Sequence, residues 1–261
     1  MKKLQDFFAR SYMAIVFFFL YAPIITLIIF SFNNSKSRGS WGGFTLKWYV
    51  ELFSNDIIMK ALTNTIVIGV LSAVIATVIG TAAAIGIYYM KNWKKNIVMN
   101  ISYLPVLNPD IVTGVALMLL FGVLKINLGF LTLLIAHISF NIPYVILSIQ
   151  PKLKQLNKHT VEAANDLGAS DLYAFQKVVL PQIMPGIING LLLAFALSID
   201  DFVISFFTTG PGVSNISILV YSMARTGVKP TMNALSSIMF IMVLALLIII
   251  NKRTAKGEEG A

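Results

Sequence analysis

The chain has 261 residues, a formal net charge of +9, 57% hydrophobic residues and only 12% charged residues. Soluble domains usually have about a quarter of their residues charged, so this composition, with a mean hydropathy of +0.81, excludes a soluble domain and indicates a polytopic membrane protein. The absence of cysteine excludes disulfides, thiolate chemistry and cysteine-ligated metals, and two histidines are too few for a histidine-rich metal site. No Walker A pattern occurs, so we do not expect this chain to bind a nucleotide phosphate in that way. We also predict no catalytic residues and no metal site.

Six segments reach the length of roughly 20 apolar residues that a transmembrane helix needs. They lie at about residues 11–32, 61–90, 97–121, 129–150, 183–207 and 232–250. The first is too long for a secretory signal and lacks a small-residue cleavage site, so we interpret it as a retained helix. The prediction is an all-α fold with six transmembrane helices, forming a single membrane domain over residues 1–261.

Lysine and arginine are distributed unevenly between the two sides of this predicted topology. Thirteen of the 20 lie at the two ends and in the loops after the second and fourth spans, and seven, including Lys36 and Arg38, lie on the other side. Positive charge is enriched in cytoplasmic loops. Both termini are therefore predicted to be cytoplasmic, and the net charge gives little reason to expect nucleic-acid binding.

The first external loop, residues 33–60, contains the segment FTLKWYVELF at 44–53. Its apolar residues Leu46, Tyr49, Val50 and Phe53 share one helical face, which predicts an interfacial amphipathic helix. Trp48 points elsewhere. Near acidic groups its ring could stack on an alkylammonium ion, an attraction of roughly 0.5 to 2 kcal/mol, or it could anchor the helix at the lipid headgroups.

Two patterns inside the spans predict helix packing. Small residues recur every fourth position of the second span, at Ser72, Ala76, Gly80 and Ala84, and such faces allow close approach of another helix in lipid, within this chain or in a sister subunit. His137 and Asn141 lie one turn apart in the fourth span. We interpret them as an interhelical hydrogen-bonding pair in preference to a metal or proton site.

The third span is interrupted by LPVLNPD at residues 104–110. Asn108 at the N-cap, Pro109 at the first helical position and Asp110 in the first turn predict that a helix restarts inside the membrane. Irregular backbone and carboxylates at this depth normally face protein or a water-filled cavity. Asp110 is therefore a candidate pathway residue, and the alternative is an acid that only stabilises the half-helix.

A polar stretch between the fourth and fifth spans predicts a cytoplasmic docking loop at residues 151–182. Its pattern is EAA-x3-G-x9-[IV]-x-LP, formed here by Glu162, Ala163, Ala164, Gly168, Leu180 and Pro181. Thr160 and Ser170 are the expected N-caps of two short helices, with Glu162 in the first turn. Gly168 is expected to adopt a left-handed backbone, and Pro181 to stop the second helix. The alternative is an ordinary solvated connection.

The fifth predicted span closes with Asp200 and Asp201, about 17 residues beyond Ile183 and so roughly 25 Å from the cytoplasmic end. Adjacent helical residues point about 100° apart, so at most one of the two acids faces a central pathway squarely. We favour Asp200. The alternative is that both lie at a wet outer mouth and contact no ligand. Acids without lysine or arginine inside the spans favour a cationic cargo over an anion.

Three separated regions carry a family resemblance: the EAA loop, the FTLKWY segment, and LSIDDFVISFFTTGP at residues 197–211. Together they resemble the C-type permease subunits of bacterial spermidine/putrescine ABC importers, the PotC-like group. The family pattern often has isoleucine two residues before Leu-Pro, where this chain has Val178. The resemblance implies a type I ABC importer permease fold, similar to MetI, in a bacterial inner membrane.

The resemblance also implies partners and roles. The expected partners are a sister permease, two cytoplasmic ATPase subunits holding ATP and magnesium, and an extracytoplasmic polyamine-binding protein, with no cofactor in this chain. Glu162 to Gly168 would form the coupling helix, and polyamine would pass Trp48, Asp110, Asp200 and Asp201. The alternatives are another cargo such as ferric iron or thiamine, a proton-coupled secondary transporter, or a membrane scaffold.

Overall fold

The computed structural model describes residues 2–35, 40–226 and 229–258, and these ranges are predominantly helical. The elements are α1 (Lys2–Ser31), α2 (Lys47–Phe53), α3 (Asp56–Tyr89), α4 (Asn92–Leu107), α5 (Asp110–Val123), α6 (Phe130–Gln155), α7 (Lys158–Asp166), α8 (Asp171–Ala174), a π-helical turn (Phe175–Val179), α9 (Leu180–Asp200), α10 (Val203–Thr208), α11 (Ile216–Thr226) and α12 (Pro230–Glu258). The β structure in the described ranges is one isolated bridge, between Asn33 and Phe44. The predicted all-α fold is confirmed; Lys36 and Arg38 lie outside the described residues.

The predicted spans correspond to helices, with one change of limits. Among the described residues, four helices are long and apolar enough to cross a membrane: Arg10–Ser31, Asp56–Tyr89, Phe130–Gln155 and Asp171–Asp200. The pair α4 and α5 gives a fifth if it forms one broken span, and the sixth predicted segment lies in α12, where Pro230–Ala245 is a shorter apolar helix. The fifth segment, predicted at 183–207, instead belongs to a helix that begins at Asp171 and ends at Asp200, because the backbone at Asp201 is extended.

The chain forms two compact units. One contains the residues up to Met59 together with Val220–Leu247, and the other contains Lys60–Leu219 together with the residues from Ile248. In the first unit, Phe32 stacks on Phe44 at 5.4 Å between ring centroids, and the Tyr49 hydroxyl lies 2.7 Å from the Ser31 hydroxyl. These contacts hold α2 against the end of α1. A helix forms where it was predicted, with Leu46, Val50 and Phe53 exposed and Tyr49 turned to α1; its place at the membrane interface stays a prediction.

The core of the second unit lies where α3, α6 and α9 pack together. The predicted small-residue face of α3 is buried at Ser72, Ala76, Gly80 and Ala84, which confirms its role in packing within the chain. Its closest approach is at Gly80, where an added Cβ would lie 2.7 Å from Cγ1 of Val145 on α6. Because α9 packs along α6, this core fixes the helix that ends at Asp200.

The helix restart predicted in the third span is confirmed, with a different cap. Helices α4 and α5 are bent by 103° at the break formed by Asn108 and Pro109. Asn108 was the expected N-cap, but its backbone is extended and Pro109 occupies the N-cap position, without a side-chain hydrogen bond. The residue before a proline is disfavoured in the helical region, so Asn108 stays outside α5 and the helix begins at Asp110.

Candidate functional site

The EAA loop forms two short helices, and the start of the first differs from the prediction. Asn157 caps α7, since its Oδ1 accepts a hydrogen bond of 3.0 Å from the backbone N–H of His159. Asparagine is as good an N-cap as threonine or better, and the earlier cap places the predicted one, Thr160, inside the helix. Glu162 therefore lies in the second turn and not in the first. Its carboxylate lies 3.1 Å from Nδ1 of His159.

The turn between the two helices is as predicted. Gly168 has φ +87°, the left-handed conformation expected at a helix end. The N–H of Ala169 donates to the carbonyl of Ala164 at 3.0 Å, which closes the end of α7. Ser170 caps α8, with its hydroxyl accepting from the N–H of Tyr173 at 3.3 Å.

The outer surface of this turn has an open cavity with apolar side chains. The cavity has a volume of about 570 Å³ and is lined by Ala164, Leu167, Gly168, Ala169, Ser170 and Tyr173. Leu167 is 90% exposed, and Leu172 and Tyr173 beside it are also exposed. Apolar side chains this exposed, around small residues that admit another chain, are typical of a protein interaction surface.

The opposite side of the loop is fixed to the membrane core. Val161 and Phe175 pack against the core formed by α3, α6 and α9, and Val179 is buried in it. Leu180 packs there too. Pro181 does not stop the helix as predicted: a π-helical turn joins α8 to α9 without a break, and Pro181 follows it as the second residue of α9.

Asp110 is exposed at the first position of α5, a helix that packs against α10. Gly114 lies one turn further along the same face of α5, and a Cβ there would lie 3.0 Å from the Phe207 ring and 3.4 Å from the Val203 carbonyl. That face therefore points to α10, which begins three residues after Asp200. Tyr144 of α6, which the sequence analysis did not single out, lies within electrostatic reach of the Asp110 carboxylate.

The two neighbouring acids of α9 have different surroundings. Asp200 is the last residue of the helix and is exposed. The Asp201 side chain is only 6% exposed, and its two carboxylate oxygens accept backbone hydrogen bonds from Ile204 at 3.1 Å and Ser205 at 2.7 Å. Asp201 thereby caps α10, and Asp200 is the acid that is open to a ligand.

His137 and Asn141 are hydrogen-bonded between helices, as predicted, although not to each other. His137 Nε2 lies 3.0 Å from the Ser205 hydroxyl of α10, and Asn141 Nδ2 donates to the Ser198 hydroxyl of α9 at 2.7 Å. Ser72 of α3 joins the second group, 3.0 Å from Ser198. Among the described residues, no three histidine, cysteine or acidic side chains are placed to hold a metal ion.

Trp48 lies in the first compact unit, whereas the three aspartates lie in the second. It is 3% exposed, and its indole N–H donates to the Asn33 carbonyl at 2.7 Å. Lys47 lies over the ring, 5.5 Å from its centre. Contact between the Trp48 ring and any ligand would therefore require these buried contacts to break.

Comparisons with known proteins agree on one family. A family model described as "Binding-protein-dependent transport system inner membrane component" matches residues 76–252. The chain is 38% identical over 96% of its length, and 96% of the relative's, to "Spermidine/putrescine transport system permease protein PotC" of Escherichia coli (strain K12). It is 40% identical over 85% of its length, and 82% of the relative's, to "Putrescine transport system permease protein PotI" of the same strain.

A solved structure shares the fold. It is the crystal structure of a bacterial alginate ABC transporter in complex with an alginate pentasaccharide-bound periplasmic protein, and one of its chains matches with a TM-score of 0.73. The match covers 98% of this chain and 96% of that one at 18% sequence identity. This likeness shows the arrangement of the helices and is independent of the cargo.

Proposed function

Because the chain belongs to the binding-protein-dependent transport system inner membrane component family, we propose that it is the permease subunit of an ATP-driven importer of polyamines. The observation that carries the cargo is a pair of exposed carboxylates: Asp110 begins α5, which packs against α10, and Asp200 lies three residues before α10 begins. Polyamines carry several ammonium groups, which intramembrane carboxylates stabilise. The cargoes named for the two relatives, spermidine and putrescine, support the same choice.

The permease needs partners to transport its cargo. We place beside it a sister permease that completes the pathway, two ATPase subunits that hold ATP and magnesium, and an extracytoplasmic polyamine-binding protein. The family description names a binding protein, and the alginate transporter was crystallised with a periplasmic one. This chain acts as a non-catalytic half of the gate in the bacterial inner membrane.

We orient both termini and the EAA loop towards the cytoplasm. Thirteen of the 20 lysines and arginines fall on that side of the predicted topology. The loop would then meet the ATPases, and the α9–α10 junction would lie in the outer half of the membrane.

The EAA loop is suited to couple ATPase movement to the membrane helices. Its exposed apolar surface around Leu167 and Tyr173 is available to an ATPase cleft, and the small side chains of Ala163 and Ala164 permit close approach. Its inner side is packed on the core through Val161. Since helix continues from Asp171 to Asp200, a displacement of the loop moves α9 as a body and changes the position of its acidic end.

Polyamine uptake into proteoliposomes that contain the complete complex, loaded binding protein and ATP tests this function. We expect Asp110→Asn and Asp200→Asn each to lower spermidine uptake roughly fivefold or more, since losing an ammonium contact of about 1 kcal/mol has that effect. Glu51→Gln, which removes an exposed acid outside these helices, is the matched control and should transport normally. Unchanged uptake in both aspartate variants would reject the cationic pathway.

The same assay separates the rival functions. If no polyamine moves while another loaded binding protein still stimulates the ATPase, the importer stands and the cargo is wrong. Uptake that survives loss of the ATPase and collapses with the proton gradient would indicate a secondary transporter. Leu167→Ala should reduce stimulated ATP hydrolysis and uptake, whereas Thr160→Ala, exposed on α7 but outside the cavity lining, should not.

A further inference from the structure

Four polar side chains form a buried cluster where α9 ends. We call Asp201, His137, Ser205 and Asn215 the Asp201 cluster. His137 Nε2 lies 3.0 Å from the Ser205 hydroxyl and 3.5 Å from Oδ2 of Asp201, and Asn215 Nδ2 donates to the same hydroxyl at 2.7 Å. The cluster joins α6, the α9–α10 junction and the start of α11 through side-chain contacts.

The contacts of Asp201 leave its carboxylate little capacity for a ligand. Each oxygen already accepts a backbone N–H of α10, and Oδ2 also faces His137. The side chain is 6% exposed, whereas the neighbouring Asp200 is exposed. A transported ammonium group would have to displace the cap of α10 to reach Asp201, but it can reach Asp200 directly.

The arrangement around His137 favours a single protonation state. The residue is 1% exposed, and its Nδ1 has no hydrogen-bond partner among the described residues. A proton on Nε2 can be donated to the Ser205 hydroxyl, with the Asp201 carboxylate 3.5 Å away, whereas a proton on Nδ1 would be a buried donor without an acceptor, which is costly. His137 therefore acts as a neutral donor towards Ser205.

Hydrogen bonds on the adjoining segments hold the same junction from two other helices. At the start of α11, the N–H of Ile216 donates to the Thr65 hydroxyl of α3 at 2.9 Å, and the Ser217 hydroxyl donates to the Ile199 carbonyl at 3.4 Å. One turn before the junction, Ser198 is bonded to α6 through Asn141. Ser198 and Ile199 are buried, so the rotation that these bonds impose on α9 turns Asp200 outward.

From this geometry we infer that Asp201 and His137 are positioning residues: with Ser205 and Asn215 they fix the α9–α10 break so that Asp200 faces the transport pathway, and Asp201 itself does not contact the cargo. The inference rests on the proposed function for the role of Asp200. The fixed break is a property of the chain alone and can be measured without transport.

Cysteine labelling measures the orientation directly, because the chain contains no native cysteine. Asp200→Cys and Ile199→Cys are introduced separately into the complete complex, and the rates of modification by a cationic thiol reagent are compared. With the cluster intact, position 200 reacts much faster than position 199. In Asp201→Asn and in His137→Ala backgrounds we expect this ratio to fall about fivefold, because the first replaces one of the two accepting oxygens by an NH2 group and the second removes the bond to Ser205, and losing one hydrogen bond favours local opening by about that factor.

A second variant and a control distinguish loosening of the junction from unfolding. Ser205→Ala removes only the bridging hydroxyl and should lower the ratio in the same direction by a smaller factor. Ile149→Cys, fully buried in α6 about 18 Å along the helix from His137, must stay unreactive in every background. A ratio unchanged by Asp201→Asn and by Ser205→Ala would overturn the inference.

Measurements of polyamine uptake by the same variants then test the role of Asp201. If it positions Asp200, His137→Ala lowers polyamine uptake as Asp201→Asn does, and the double variant is no worse than the poorer single one. If Asp201 is itself a cargo ligand, His137→Ala transports normally while Asp201→Asn does not, and the inference fails. A complex that labels as expected but moves no polyamine would refute the proposed cargo and leave the positioning intact.

Discussion

Gly80 and Gly86 lie in the same helix, α3, and offer a matched test of how tightly the core is packed. A Cβ added at Gly80 would lie 2.7 Å from Cγ1 and 2.8 Å from Cβ of Val145, whereas one added at Gly86 meets nothing within 4 Å. Replacing either glycine by alanine improves helix propensity to a similar extent. Only Gly80→Ala forces a neighbour to move, so the difference between the variants isolates the packing cost.

The Val145 side chain is packed on both sides and cannot shift away from a new methyl group at position 80. It is fully buried and β-branched, which restricts its side-chain rotamers. On its other side it faces Gly190 of α9, where an added Cβ would lie 3.3 Å from Val145 Cα. Gly80→Ala must therefore separate α3 from α6 or push α6 against α9. Overpacking of this kind costs about 1–3 kcal/mol, which for a chain of this size is an apparent Tm lower by roughly 2–12 °C.

The assay is thermal unfolding of the purified complex in detergent at one scan rate, with Gly86→Ala as the reference. We expect Gly80→Ala to unfold at the lower temperature, and to cost less in a Val145→Ala background than in the wild type, because the smaller side chain makes room for the new methyl group. Equal transitions for Gly80→Ala and Gly86→Ala would refute the close approach of α3 and α6.

Two further predictions concern positions where the chain again provides a control. Trp48→Phe removes the donor to the buried Asn33 carbonyl and should lower the free energy of unfolding by about 1–3 kcal/mol. Trp41→Phe, at a site 54% exposed, should change it by no more than about 0.5 kcal/mol. Equal unfolding curves for the two variants would contradict a structural role of Trp48. Gly168→Ala should lower binding-protein-stimulated ATP hydrolysis, because a non-glycine residue pays about 1–2 kcal/mol in the left-handed region. Gly168→Asn, which tolerates that region, should retain more activity, and equal activity in the two variants would contradict this reasoning.

Helix starts in the EAA loop show how far local sequence rules reach. Ser170 and Gly168 were predictable because each fulfils a local requirement, a side-chain acceptor and a positive φ. The N-cap of α7 was not predictable, because Asn157 and Thr160 are both acceptable caps by sequence. The choice depends on where α6 ends: the backbone is extended at Leu156, and the next residue, Asn157, becomes the cap three residues before Thr160.

The two adjacent aspartates show what a sequence cannot distinguish. Helical geometry predicted only that they point in different directions; Asp200 was favoured for the pathway, and in the structure it is exposed. The function of Asp201 as a cap could be recognised only once the structure showed that α9 stops at Asp200 and that α10 begins three residues later. The partners that bury it come from α6 and from the start of α11, which are distant in the sequence.

Pro181 shows how a wrong local prediction has a mechanical consequence. In a regular α-helix its ring would clash with the carbonyl four residues earlier, which is why a stop was predicted there. The chain instead widens into a π-helical turn at Phe175–Val179, where the N–H of Leu180 reaches the Phe175 carbonyl. The wider turn accommodates the ring and the helix continues. Had Pro181 ended the helix, the EAA loop would be joined to α9 by a flexible connection, and ATPase movement would be dissipated there. The continuous helix, 30 residues from Asp171 to Asp200, would under the proposed function carry the same movement from the loop to the acidic end of α9.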